Sequence, residues 1–400
     1  MDQINQEFVP KLRGKRVGLI TSNMSRGYGL ASSLDMIRSI KAVKKLTLLS
    51  PEHGYFSDFQ AGETVSSQYD HDLEVGIKSL YREPRNFNGN SRKKIDESMR
   101  VTDSKRDDSK FPSKELMEEF DVIIYDLQDV GCRVYTHIAT LVYSMEMAHK
   151  SKVEYLVLDR TNPITGTNPE GPLLKRDLFS FIGALEIPIR HALTLGELAL
   201  FFNKFSNKDR TDLDIVKMKD WHRTLWHDET GLPWIMPSPN MPTLDTAIIY
   251  PGTVLFEGTN VSEGRGTTRP FQVIGSPWIN GLKLKERIKS LKPPGVQIME
   301  MKFRPTFSKY AGEVCFGIYI NIADRNSFKP FEFSIALIQE ILDLYPDLTE
   351  FYSSYFDKVT GNSRIRKMLT SGYSAEEIIE RFLDETNKYI SKIEEIKMYD

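Results

Sequence analysis

Glu52 and His53 follow directly on the short apolar run Leu46–Ser50, in the stretch LTLLSPEHGYFSDFQAGETV, and a second glutamate, Glu63, comes later in the same stretch. Gly54 and Gly62 bracket this segment and imply a loop shaped around something. Three more apolar runs end in polar groups. The run Arg16–Thr21 leads into Ser22 and Asn23; Val122–Asp126 ends at Asp126 and is followed by Gln128 and Asp129; Glu154–Asp159 is followed by Arg160 and Asn162. Carboxylates can move protons, and amides and a guanidinium can bind and orient a ligand. Asp126 or Asp129 alone reads better as a helix cap, and Arg160 beside Asp159 reads equally well as an ion pair. Glu52 with His53 does not reduce to a cap, because a glycine follows.

Other chemistries find less support. The first strand-to-helix turn, TSNMSRGYGLA, lacks the G-x-G-x-x-G fingerprint, and no P-loop is present. The seven histidines form no H-x-x-x-H or H-E-x-x-H pair, so no metal is expected. No G-x-S-x-G marks a nucleophilic serine. Carboxylates remain the best reactive groups, which is the equipment of a glycosidase.

These residues need a rigid frame. The four runs are almost continuously apolar, as strands covered on both faces are. Helical patterns at 30–44 and 135–150 alternate with them, so βαβ units and a doubly wound sheet are expected. Ligands then bind beyond the carboxyl ends of the strands, where all four polar clusters fall. Thr194 and Glu197 form a capping box that opens a further helix. Residues 83–112, rich in Lys, Arg, Asp, Ser and Asn, read as a surface insertion. The stretch 232–278 reads as long ordered loops. Strands at 296–303 and 314–322 follow, then helices at 331–345 and from Ser374, where Glu377 completes a second capping box. The fold class is α/β, with a Rossmann-like doubly wound N-terminal domain over 1–222 and a smaller α+β domain over 223–400 that completes a cleft.

A chain of 400 residues favours two domains, and its 40% hydrophobic and 27% charged residues are ordinary for a globular protein. A net charge of -2 gives no basic field for nucleic acid or an anionic membrane. Cys132 and Cys315 sit in apolar stretches and read as buried free thiols. No secretory signal and no bilayer-length apolar run is seen, so the expected location is cytoplasmic. The oligomeric state is left open.

Longer blocks carry a resemblance. PEHG…QAGE, DLQDVGCRVYTHIATL, DRTNPITG…EGPLL, PIRHALTLGELA and PSPNMPTLDTAIIYPGTVLFEGTNVSEGRGTTRPFQVIGSPWI are similar to the NamZ family of exo-β-N-acetylmuramidases, from about Arg16 to the C-terminus outside 83–112. The resemblance implies removal of a terminal β-linked N-acetylmuramic acid from the non-reducing end of peptidoglycan-type fragments, with no cofactor and a small carbohydrate as the partner. It implies Glu52 as the catalytic carboxylate, Glu63 as the second and His53 beside them. Burial next to Tyr55, Phe56 and Phe59 would raise the pKa of such an acid. Asn23, Asp126, Gln128, Asp129, Tyr135, Arg160, Asn162 and His191 would meet substrate from the first half, and Asn240, Asn260, Glu263 and Arg265 from the second. Arg160 and Arg265 would take the lactyl carboxylate; Arg265 and Glu263 could instead pair with each other. The chain departs from the family at Phe56-Ser57, where Arg-Gly is usual, and at Thr161, Lys175 and the first loop, residues 22–25. A carbohydrate-binding protein without turnover and a nucleotide-sugar enzyme are the competing functions.

Overall fold

The computed structural model describes residues 8–60, 63, 65–81, 108–207 and 209–400. Its strands are β1 (Arg16–Thr21), β2 (Lys45–Ser50), β3 (Gln68–Asp70), β4 (Val75–Ser79), β5 (Val122–Asp126), β6 (Glu154–Leu158), β7 (Leu213–Val216), β8 (Val273–Ser276), β9 (Val296–Phe303) and β10 (Cys315–Ile322). The helices are α1 (Val9–Leu12), α2 (Ser33–Ser39), α3 (Lys114–Met117), α4 (His137–Ser151), α5 (Leu195–Phe201) and α6 (Leu244–Thr253). They continue with α7 (Gly281–Ser290), α8 (Pro330–Leu344), α9 (Ser353–Thr360), α10 (Ser363–Thr370) and α11 (Ala375–Ile393).

The first seven strands form one mixed sheet in the order β3-β4-β2-β1-β5-β6-β7. All neighbours are parallel except β3, which pairs antiparallel with β4 at the edge. Alternate residues along each strand serve opposite faces. Ile20, Leu49, Ile123, Tyr125 and Val157 pack with α4 and α5, whereas Leu19, Leu48, Ile124, Leu156 and Leu158 pack with α1 and α2. Cover on both faces explains the uninterrupted apolar runs, and the α/β architecture is consistent with double winding. The second sheet is antiparallel, β8-β10-β9, and packs with α6, α7 and α8.

Several segments differ from the sequence reading. The helix expected over 30–44 covers only Ser33–Ser39, because Gly29 and Leu30 both turn left-handed before it, at φ 64 and 63. β4 and β7 carry polar residues at sheet margins and lack a continuous apolar signal. The stretch 232–278 holds α6 and β8 rather than loops alone. Pro251 and Gly252 mask α6 in the sequence; Thr243 caps its start, and Gly252 suits its place, since a Cβ there would lie 1.9 Å from the Pro330 carbonyl of α8. Most of the expected insertion at 83–112, and Gly62, lie outside the described residues. Its last part is not a surface segment, since Phe111 is buried and stacks on Tyr143 of α4 at 3.9 Å.

The two halves share their cores. Val130, Cys132, Tyr135, Ile164 and Ile189 join the cluster built on α6, α8 and the smaller sheet, and Tyr389 and Ile393 of α11 pack back among α4 and α5. Cys132 and Cys315 are buried free thiols. Among the described residues no helix is long and apolar enough to cross a membrane.

Candidate active site

The acid at the end of β2 is held inside the protein. Glu52 is 5% exposed, and its backbone N–H donates to the Tyr81 hydroxyl at 3.1 Å. That hydroxyl lies 2.9 Å from Thr140 Oγ1 on α4. The turn beyond Glu52 is sharp. His53 and Gly54 are both left-handed, at φ 69 and 77, and a Cβ on Gly54 would sit 2.7 Å from the Phe59 ring. A non-glycine residue held in that region is strained, and such strain gathers at functional sites. His53 Nδ1 donates to Phe59 O at 2.9 Å and Phe59 N returns a bond to His53 O, so the imidazole also closes the loop.

Neighbouring segments fix this loop from two sides. Asn23 N donates to Tyr55 O at 2.6 Å, which joins the β1 turn to it. From the second half, Asn240 Nδ2 donates to Gln60 Oε1 at 2.7 Å. Glu63 is exposed, and its Oε2 accepts from Gln60 N at 2.8 Å, so its carboxylate closes its own turn.

The opposite wall comes from the segment between β5 and α4. His137, the first residue of α4, is buried and donates from Nδ1 to Gln128 O at 2.9 Å. Burial pulls its pKa down to about 4; the Gln128 bond opposes this, His53 adds to it, and Asp129 and Glu52 oppose it more weakly. The Glu52 charge therefore reaches His137, and it also acts on Tyr81 and Tyr135, whose pKa values burial raises above the usual phenol range. His137 is expected to stay neutral, with its proton on Nδ1, at pH 5 and above. Nitrogen-detected NMR of the imidazole checks this; an imidazolium at pH 6 contradicts it. The shift also makes stability depend on pH. An unfolded histidine takes its proton near pH 6.5 and the folded one only near 4, so stability is fully present above 6.5 and is lost as pH falls through that window, by about 3 kcal/mol.

Asp129 is the second buried carboxylate here. Its Oδ2 accepts from Gly131 N at 2.7 Å and from His191 Nε2 at 3.0 Å, while its Oδ1 is buried without a donor among the described residues. His191 Nδ1 accepts from Leu193 N, which places its proton on Nε2, toward Asp129. Gly131, at φ 78, allows the turn; a Cβ there would meet Ile164 at 2.4 Å. Tyr135 is buried beside Ser238.

Other expected site residues are committed elsewhere. Asn162 pins its own loop, accepting from Ile164 N and donating to Leu193 O. Arg160 grips Asp126 with Nε at 2.6 Å and Nη2 at 3.0 Å, and its Nη1 donates to Arg26 O. Its partner is thus Asp126 of the adjacent strand, not the side chain of Asp159. Gln128 Nε2 donates to Asp129 O and Thr161 O. Arg265 holds Glu257 at 2.6 Å and also pairs with Glu263 at 3.7 Å, as expected, and Glu263 pairs in addition with buried Lys309 at 2.9 Å. Burial lowers the pKa of Arg265, but Glu257 and Glu263 outweigh it and hold the group above its ordinary value. Asn260 bonds Leu348 O and Glu350 N. Neither arginine expected to meet the lactyl carboxylate is free of a buried carboxylate of the protein.

Tyr81, Thr140 and His137 do not stand out in the sequence. Tyr81 follows a strand with no clear pattern, and Thr140 and His137 look like ordinary helix residues. The available signal is polarity at the start of α4, facing the loop after β2. No group of three or more His, Cys, Asp or Glu among the described residues could hold a metal ion.

Residues 17–101 and 99–245 match the family model described as exo-beta-N-acetylmuramidase NamZ, N-terminal, and residues 248–399 match the corresponding C-terminal model. The chain is 40% identical over 393 residues to the peptidoglycan beta-N-acetylmuramidase NamZ of Bacillus subtilis (strain 168), covering 98% of this chain and 88% of that protein. Two solved structures of DUF1343 family proteins from Bacteroides fragilis NCTC 9343 are also similar. One has a TM-score of 0.86 at 29% identity, covering 99% of this chain and 97% of that one. The other has a TM-score of 0.74 at 27% identity, covering 100% and 98%.

Proposed function

The chain belongs to the exo-β-N-acetylmuramidase NamZ family, and on that premise we propose that it is an exo-acting glycoside hydrolase that releases N-acetylmuramic acid from the non-reducing end of peptidoglycan fragments. The observation that carries the chemistry is the buried Glu52 carboxyl at the end of β2, within electrostatic reach of Tyr81, Tyr135 and a neutral His137.

In this reading Glu52 gives its proton to the glycosidic oxygen. General-acid catalysis requires that carboxyl to carry its proton before reaction. Asp129 supplies the second carboxylate. It is buried and oriented by His191 and Gly131, whereas Glu63 lacks the burial that such a role asks for. The free Oδ1 of Asp129 can receive the amide N–H of the substrate's N-acetyl group or the proton of an attacking water. His53 orients the loop that carries Glu52, and the bond from Asn240 to Gln60 supports a cleft closed by the second half. We place the catalytic domain at 1–222, Rossmann-like and doubly wound, and the completing α+β domain at 223–400.

The test is product analysis with a chromogenic β-N-acetylmuramide, the matching N-acetylglucosaminide and a defined peptidoglycan oligosaccharide. Turnover of the muramide, with single N-acetylmuramic acid residues lost from the non-reducing end, is expected. Internal cleavage, or equal turnover of the glucosaminide, contradicts the assignment.

A further inference from the structure

The smaller sheet has an open edge. Its order is β8-β10-β9, so β10 covers one side of β9, and no strand among the described residues pairs with the other side. An edge strand presents backbone N–H and C=O groups that a further strand can take up, and proteins often blunt such an edge by keeping it very short. β9 is not short: it runs for 8 residues. Pro293 and Pro294 precede it and Pro305 follows it, so the length open to pairing is fixed at both ends.

Alternate side chains of β9 serve opposite faces of the sheet. Ile298 packs in the core with α7 and α8, and Glu300 and Lys302 fall on that same face. Met301 and Phe303 face the other way, in a small cluster with Val273 and Cys315, and Met299, 54% exposed, shares their side. Glu300 and Lys302 are both exposed, and neither has an ion-pair partner among the described residues. The Lys302 ammonium lies over the Phe316 ring, 5.4 Å from its centre.

The order of these side chains selects a partner. A second copy of β9 laid antiparallel along the edge is related to the first by a twofold axis normal to the sheet, so the same patch serves both copies. With the axis at Met301, Glu300 of each copy stands opposite Lys302 of the other, Met299 stands opposite Phe303, and Met301 meets its own counterpart. With the axis one residue earlier, Glu300 meets Glu300; one residue later, Lys302 meets Lys302. Like charges directly opposite each other disfavour both of those registers, whereas opposite charges and apolar pairs favour the first. We propose that β9 is a self-association edge: two copies of this chain join their smaller sheets into one continuous antiparallel sheet, in the register centred on Met301, with Glu300–Lys302 pairs in both directions. No residue of β9 belongs to the candidate active site, so the dimer stands or falls apart from the hydrolase reading.

The test is sedimentation velocity of the full chain over about 1 to 100 µM, a range in which a dimer of ordinary affinity assembles by mass action. The parent is expected to dimerise. Glu300→Lys alone, or Lys302→Glu alone, sets like charges opposite each other twice and should weaken the dimer by about tenfold or more. The protein carrying both changes restores opposite signs and should dimerise again. An equimolar mixture of the two single variants should also form a dimer, because each then faces a partner of the other sign. That recovery shows the single variants to be folded, so loss of association in either one alone is not loss of structure. The proposal is overturned if the parent stays monomeric up to the highest concentration, if either single change leaves association intact, or if the double variant or the mixture fails to recover it.

Discussion

Replacing Glu52 with glutamine is expected to lower kcat on a muramyl disaccharide by about 1,000-fold, within the range that loss of a general acid produces. The side chain keeps its shape and its place at the end of β2, so the thermal midpoint should stay close to that of the parent. What disappears is the transferable proton. A natural sugar leaving group is a poor one and needs that proton, whereas 4-nitrophenolate leaves almost unaided. The loss should therefore be much smaller with a 4-nitrophenyl muramide than with the disaccharide. This ratio separates an acid from a nucleophile, since removing a nucleophile slows both substrates. Equal losses on both would move Glu52 out of the acid role, and an undiminished rate on the disaccharide would remove it from the reaction.

Glu52 stands out in the sequence as a candidate because it follows an apolar strand and a glycine comes two residues later, where a cap does not need one. Its environment is not. Tyr81 and Thr140 come from separate elements, and the bond between Asn240 and Gln60 joins residues far apart in the chain. Side-chain partners at this range follow from packing, which no local pattern encodes. The arginines show the cost. Arg160 and Arg265 have the right chemistry for a substrate carboxylate, but adjacent strands and loops bring Asp126 and Glu257 to them first. Glu63 resembles Glu52 in residue type and loop setting, and exposure is what sets the two apart. The frame is easier to read: β1, β2, β5 and β6 are apolar on both faces, and the boxes at Thr194 and Ser374 start α5 and α11 as their residue types require. β4 and β7, at or near the margins of the sheet, lack that double-sided signal.

The contact between the halves sets the second large effect. Glu170 and Arg190 form a buried ion pair at 2.7 Å, with side chains 9% and 4% exposed. The other oxygen of Glu170 accepts from Phe331 N at 3.1 Å, in the first turn of α8. One carboxylate therefore joins the first half to an N–H that the helix itself cannot satisfy. Burial raises the pKa of Glu170, and Arg190 counters it through its charge and its hydrogen bond. Glu170→Ala should destabilise the protein by about 3–5 kcal/mol, because it strands a buried guanidinium and leaves that N–H without its acceptor. Glu170→Gln, which keeps an oxygen for Phe331, should cost less. Replacing both members with methionine should recover much of the loss, since a well-packed apolar pair removes the stranded charge as well as the attraction. Denaturant unfolding of the three variants and the parent measures all of this. If Glu170→Ala and the double replacement are equally destabilised, most of the cost comes from the acceptor lost at α8; if Glu170→Ala is neutral, the pair does not hold the halves together.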